Sequence, residues 1–387
     1  MSVVAVQGFR AGGAAIGIKG DGRLDAAVVL ASEPAAVGAV FTQNKAPAAP
    51  VQVSREHLAL NGGHARAVVL TSGNANAATG AHGRAAAEEL CASVAATIGC
   101  RADEVLVCQT GLIGIPFPTE PALHGIGDLV DGAGSDVDDG LRAATAIMTT
   151  DTFAKEVLIE ADGFSIGGMA KGAAMLAPDM ATMLAVLTTD AALSPSLLSE
   201  CLRRAVGPTF NSLDVDGATS TNDTVIVLSS GVVAEVDVEA FTESLTQACA
   251  SLAEAMAFDA EGATKAVRVT VSGAKSDDEA HRGARKIASS QLVKCSLNGE
   301  DPYWGRVLSE IATAGIDVDP ERVVISYGGI VVSRASVAEE HDATAVAAHL
   351  AERWNSIEVE LGLADGLGSI LTTDLGYGYL DENRTTS

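Results

Sequence analysis

Cysteine, aromatic residues and positive charge are all scarce in this chain of 387 residues, and each scarcity removes a class of function. The six cysteines (Cys91, Cys100, Cys108, Cys201, Cys249 and Cys295) include no CxxC pair, and no histidine stands beside them at zinc-ligand spacing. They read as reduced, mostly buried thiols. With 25 Lys and Arg against 50 Asp and Glu, the net charge is -25. Such a chain repels phosphate backbones and anionic lipid, so neither nucleic acid nor a membrane is expected as a partner. The longest apolar runs are broken by Gly, Asp or Thr, so no membrane span is expected either. The opening MSVVAVQGFR lacks a basic start followed by a long apolar stretch, which argues against a signal peptide and for a cytoplasmic protein.

Several catalytic signatures are missing too. There is no GxGxxG after a strand, no GxxxxGK[ST], no HExxH and no GxSxG. The seven histidines are scattered singly. No cofactor, no metal and no histidine-dependent triad is expected.

What is present is small and aliphatic. Hydrophobic residues make up 48% of the chain, mostly Ala, Val, Leu and Ile, alongside 40 glycines. This composition suits helices packed closely on sheets, and the length allows two domains or one large one. Segment 65–73 reads as a buried strand, and the Ala-rich stretch after it as a helix stopped by Gly99. Segment 104–109 reads as a strand running into Thr110-Gly111. Two strands flank Asp162-Gly163, a favoured hairpin turn. Ser194 caps a helix with Pro195 in its first turn. A hairpin forms around Gly328-Gly329, and the stretch ending at Trp354 reads as a late helix. The class is α/β, and composition shows no domain boundary.

The most informative stretch is Met169–Ala191, MAKGAAMLAPDMATMLAVLTTDA. Small residues lead through Pro178-Asp179 into Met180-Ala181-Thr182, and an apolar strand follows directly. This suits a threonine whose Oγ attacks its own preceding carbonyl. The N-to-O shift gives an ester with Ala181, and water then frees the Thr182 α-amine. An α-amine has a pKa of about 7.7–8.0, so it can serve near neutral pH as the base for its own hydroxyl. By residue type alone, Thr182 is equally an ordinary strand-start residue and Thr110-Gly111 a plain turn.

A set of ordered motifs decides between these readings. KGAAMLAPDMATML resembles the cleavage motif of the ornithine acetyltransferases, also called arginine-biosynthesis bifunctional glutamate N-acetyltransferases. FTQNKAPAAPV, TSGNANAATG, QTGLIG, IMTTDT, DVDGATSTNDT, DAEGATK and DPYWGR follow the same family's order along nearly the whole chain.

The resemblance implies a self-cleaved two-chain α/β sandwich with sheets between helix layers, related in chemistry to N-terminal-nucleophile hydrolases. Residues 1–181 would form one chain, and residues 182–387 a second beginning with the nucleophile Thr182. The usual assembly is a heterotetramer with two copies of each. Thr110 and Gly111 would form the oxyanion hole. Thr149, Lys171, Thr182, Glu261, Asn383 and Ser387 would contact substrate, with Lys171 facing a carboxylate and Glu261 an ammonium. The implied reaction is ping-pong transfer of acetyl from N2-acetylornithine to glutamate.

The chain departs from the family at Ala218, where an acid is usual, and at Tyr303, where Asn is usual. Its tail, DLGYGYLDENRTTS, aligns Asn383 with the family's Asn but stops one residue short of the usual final Thr. The expected replacement is Thr386 or Ser387, with intrusion of the terminal carboxylate as the alternative. A paralogue acting on another acylated amino acid and a self-processing amidase or aminopeptidase are the alternative functions.

Overall fold

Ala67, Val68, Val69 and Leu70 form an apolar run with no polar interruption, which suits a strand covered on both faces. The computed structural model, which describes residues 2–175, 183–234 and 236–384, builds two sheets around strands of this kind. In chain order the elements are β1 (Phe9–Ala14), β2 (Ala26–Phe41), α1 (Ala49–Leu60), β3 (His64–Asn74), α2 (Gly80–Ile98), β4 (Val105–Leu112), α3 (Thr119–Asp131) and α4 (Val137–Ala146). Then come β5 (Lys155–Ala161), β6 (Phe164–Lys171), β7 (Leu184–Ala191), α5 (Pro195–Val206), β8 (Leu213–Asp214), β9 (Thr224–Val233) and α6 (Val238–Phe258). The rest are β10 (Ala266–Ala274), α7 (Asp277–Ala288), α8 (Gln291–Asn298), α9 (Trp304–Ile311), β11 (Val324–Tyr327), β12 (Ile330–Arg334), β13 (Val337–Ala338), α10 (Ala343–Ala351), β14 (Trp354–Glu360), β15 (Gly366–Thr373) and α11 (Tyr377–Glu382).

The chain divides into two compact units. The first holds residues 1–211 and 218–256, the second residues 212–217 and 257–387. In the first unit the sheet order is β4-β3-β2-β9-β7-β6-β5, with β1 paired to β2. Its strands carry two cores by simple alternation. Val68 and Leu70 pack with Ala143 and Ala144 of α4 on one face. Ala67 and Val69 pack with Leu90 and Val94 of α2 and Ile126 and Leu129 of α3 on the other.

In the second unit the order is β13-β12-β11-β14-β10-β15-β8. Val267, Val269 and Val271 join side chains of α7, α8, α9 and α10 in one core. Arg268, Thr270 and Ser272, on the opposite face of β10, are only half-buried. The α/β class therefore holds, with two sheets and helices against each.

Two details differ from the expectations. The strand expected to end at Gln109 runs on through Thr110 and Gly111 to Leu112, because its parallel pairing with β3 continues to Asn74. The late helix ends at Ala351, and Trp354 opens a strand that pairs with β10. The units part at residues 212–217 and 256–257; the expected cut, a covalent one, would fall between β6 and β7. Those two strands are hydrogen-bonded neighbours in one sheet, with Lys171 opposite Leu184.

Candidate active site

The site in the first unit begins where β3 and β4 end. The parallel ladder shifts register between Gly73 and Asn74, opposite Thr110 and Gly111. Such an irregularity takes backbone groups out of regular pairing and re-aims the residues beside it. Gly111 has φ +131°, and a Cβ placed there would lie 2.3 Å from the Gly73 carbonyl carbon. No other residue fits without moving the backbone.

Buried amides hold these two strand ends together. Asn76 donates to the Gln109 Oε1 and the Gly83 carbonyl, both at 2.8 Å. Gln109 donates to the Thr71 hydroxyl at 3.2 Å. Asn222, just before β9, donates to the backbone carbonyls of Gln109 (2.9 Å) and Ala75 (2.5 Å). The carbonyl next to Thr110 is thus held by a residue just ahead of β9, a strand three positions away in the sheet.

Lys171 closes β6 and is 8% exposed. Its Nζ donates to the Thr110 Oγ1 at 3.4 Å. A hydroxyl that accepts from an ammonium keeps its own proton free to donate. Behind Lys171 lies a buried ion pair in which the Lys155 Nζ sits 2.7 Å from an Asp151 oxygen, both side chains fully buried. The same Asp151 oxygen accepts the Gly172 N–H at 2.8 Å, and the second oxygen accepts the Thr149 N–H at 3.1 Å. Burial pushes the Asp151 carboxyl upward, but Lys171, Lys155 and these hydrogen bonds outweigh it and hold the group at about 2. Asp151 is therefore an anion that ties the Thr149 loop to the end of β6.

Asp223 behaves in the opposite way. It is 2% exposed, and its Oδ2 has no partner among the described residues. Burial raises its carboxyl well above the usual range, against the pull of Ser220, Met183 and Lys171. It lies beside the start of β7, where the Thr224 N–H bonds the Met183 carbonyl at 3.0 Å.

Thr110, Gly111, Thr149 and Lys171 are thus linked within the first unit by strand pairing and hydrogen bonds. Glu261 and Asn383 meet in the second unit, where the Asn383 Nδ2 donates to the Glu261 Oε2 at 2.9 Å. Ala181, Thr182 and Ser387 lie outside the described residues. Among the described residues no group of three His, Cys, Asp or Glu is placed to hold a metal, and no helix is long and apolar enough to cross a membrane. All six cysteines are free, four of them buried.

Sequence reasoning missed Asp151, Lys155, Asp223 and Asn222 as parts of this site. Asp151 and the Asn222-Asp223 pair stand inside quoted motifs, but nothing in a sequence marks which acid of a motif will be buried. Lys155 carried no signal at all.

Comparison with known proteins gives a consistent result. The ArgJ family model matches residues 10–385. The chain is 44% identical over 389 residues to the arginine biosynthesis bifunctional protein ArgJ of Thermobifida fusca, covering all of both chains. It is 45% identical over 401 residues to the protein of the same name from Mycobacterium bovis, covering 100% of this chain and 96% of that one. Among solved structures, an ornithine acetyltransferase of Mycobacterium tuberculosis complexed with ornithine is 44% identical. The match covers 46% of this chain and 96% of that chain, with a TM-score of 0.45.

Proposed function

The chain belongs to the ArgJ family, and from that premise we propose that it moves the acetyl group of N2-acetylornithine to glutamate through an acetyl-Thr182 enzyme. The observation that carries this reading is the Lys171–Thr110–Gly111 cluster, an ammonium 3.4 Å from the hydroxyl of a Thr-Gly pair at a ladder irregularity.

The chemistry runs in two halves. The Thr182 Oγ adds to the donor's acetyl carbonyl while its proton passes to the Thr182 α-amine. The Thr110 hydroxyl and the Gly111 N–H take the negative charge of the tetrahedral oxygen, and one such donor is worth about 2.7–4 kcal/mol in the transition state. The C–N bond breaks, ornithine leaves with the proton, and the acetyl ester remains. The glutamate amine then attacks the ester, the Thr182 oxygen leaves and is reprotonated, and N-acetylglutamate departs. Lys171 holds a substrate carboxylate, Thr149 lies beside it, and Glu261 with Asn383 receives an ammonium. The same Thr182 Oγ first cuts the chain after Ala181, giving chains 1–181 and 182–387. A cytoplasmic heterotetramer of two copies of each chain completes the proposal.

The test is in two parts. The intact mass of purified protein should show two chains, the second beginning at Thr182, and Thr182→Ala should give one uncut chain. Incubation with N2-acetylornithine and glutamate should yield N-acetylglutamate and ornithine, with only slow hydrolysis when glutamate is omitted. Equal ornithine release with and without glutamate would instead support an amidase.

A further inference from the structure

One cation of the first unit has no part in the mechanism above. Lys19 lies between β1 and β2, outside every motif that identified the family. Its Nζ donates to two backbone carbonyls, Leu24 at 2.8 Å and Met148 at 2.9 Å. An ammonium has three N–H bonds, and two of them are taken up by these carbonyls among the described residues.

Two chains of contact lead from Lys19 to the oxyanion pair. On one side, a Cβ built on Gly73 would lie 2.9 Å from the Lys19 Cγ. Gly73 is the β3 residue paired with Gly111. On the other side, Met148 is the neighbour of Thr149. The Thr149 N–H bonds Asp151, and Asp151 accepts from Gly172, the residue after Lys171. Lys171 returns to Thr110. Lys19 and Lys171 thus both connect to the 148–151 loop and to the β3–β4 strand ends that carry Gly73 and Thr110.

The other acids and bases on this ring are already committed. Lys155 is neutralised by Asp151. Asp25 accepts the backbone N–H groups of Ile16, Ile18 and Lys19 rather than the Lys19 ammonium. Burial and Arg23 lower the Lys19 pKa, and Lys171 contributes in the same direction, as a nearby cation does. Two ammonium groups, Lys19 and Lys171, are therefore linked by short contacts to the same Thr110–Gly111 strand end.

A second cation has a chemical reason. The acetyl donor brings one carboxylate, whereas glutamate brings two. Lys171 alone accounts for the carboxylate that both substrates share. We propose that Lys19 binds the second carboxylate of the acyl acceptor and so selects a dicarboxylic amino acid over a monocarboxylic one. This rests on the acetyltransferase reading given above.

The experiment compares Lys19→Met and Lys19→Arg with the wild-type two-chain enzyme. Acetyl transfer from N2-acetylornithine is measured with glutamate and, separately, with glutamine, which replaces the second carboxylate by a neutral amide of the same shape. Lys19→Met should lower kcat/KM for glutamate roughly tenfold or more through KM. It should leave ornithine release in the absence of acceptor and transfer to glutamine within about twofold, so the glutamate-to-glutamine preference collapses. Lys19→Arg should restore most of that preference.

Equal losses with both acceptors, or an unchanged preference, overturns the proposal, since Lys19 would then only brace the Met148 carbonyl. Failure of the wild-type enzyme to acetylate glutamate at all would instead strike the acetyltransferase reading. Two bands on a denaturing gel for each variant show that the first unit has folded and processed.

Discussion

At the residue scale the site is governed by where charge is buried. Asp151 is stabilised as an anion between two lysines, so its folded pKa of about 2 lies below its ordinary value. A depressed carboxylate contributes stability that is fully present above about pH 4 and is lost as pH falls toward 2. The shift corresponds to roughly 2 kcal/mol. Asp151→Asn should therefore unfold more easily at neutral pH and show a shallower loss of stability in acid, measured by urea denaturation across that range. Lys155→Met, which keeps the chain's length but leaves Asp151 short of a partner, should cost about 3–5 kcal/mol, the usual consequence of breaking a buried ion pair from one side. Gly111→Ala should leave an uncut chain on a denaturing gel, because its Cβ would meet the Gly73 backbone.

At the element scale, the candidate site residues Thr110 and Gly111 sit where the regular β3–β4 register is interrupted. β4 carries Thr110 and Gly111 near its end, opposite the register shift between Gly73 and Asn74. The C-terminal helix α11 is seated in the same spirit. Gly262 has φ +61°, and a Cβ there would lie 2.1 Å from the Tyr379 nitrogen, so α11 rests directly on the backbone beside Glu261. The Asn383 amide at its end reaches the Glu261 carboxylate. Gly262→Ala should push α11 away, raising the KM for N2-acetylornithine several-fold while self-cleavage proceeds normally. Removal of the residues after Asn383 should also raise KM without blocking the cut. Loss of the cut in either variant would show that the tail acts on processing instead.

At the scale of the whole molecule, the expected covalent boundary and the folded boundary are different things. β6 and β7 flank the expected cut and pair along six residues of each strand, from Ile166 opposite Thr189 to Lys171 opposite Leu184. β7 is held on its other side by β9. Cleavage between Ala181 and Thr182 should therefore leave the two chains bound to one another. They should elute together in native size-exclusion chromatography and separate only in denaturant. Independent elution of the chains would contradict that pairing. Chelating agents should leave acyl transfer unchanged, and activity lost in chelator and restored by a divalent ion would reveal a missed site.

The sequence by itself determined the secondary elements with strong local signals and the family to which the chain belongs. The uninterrupted Ala67–Leu70 run, the Ser194 cap and the Asp162-Gly163 turn are local physics, and they form β3, α5 and the β5–β6 hairpin. Thr110, Gly111, Thr149 and Lys171 were legible because ordered motifs point to them. Tertiary structure alone decided which charges are buried and against what. Asp151 and Asp223 are the same residue type, each within a quoted motif, yet one is held ionised by two lysines and the other is driven toward neutrality by burial. It also decided that Lys19, remote in the chain, shares a loop with Lys171. Desolvation and Coulomb energy depend on distances between segments far apart in sequence, and those distances exist only once the sheets have formed.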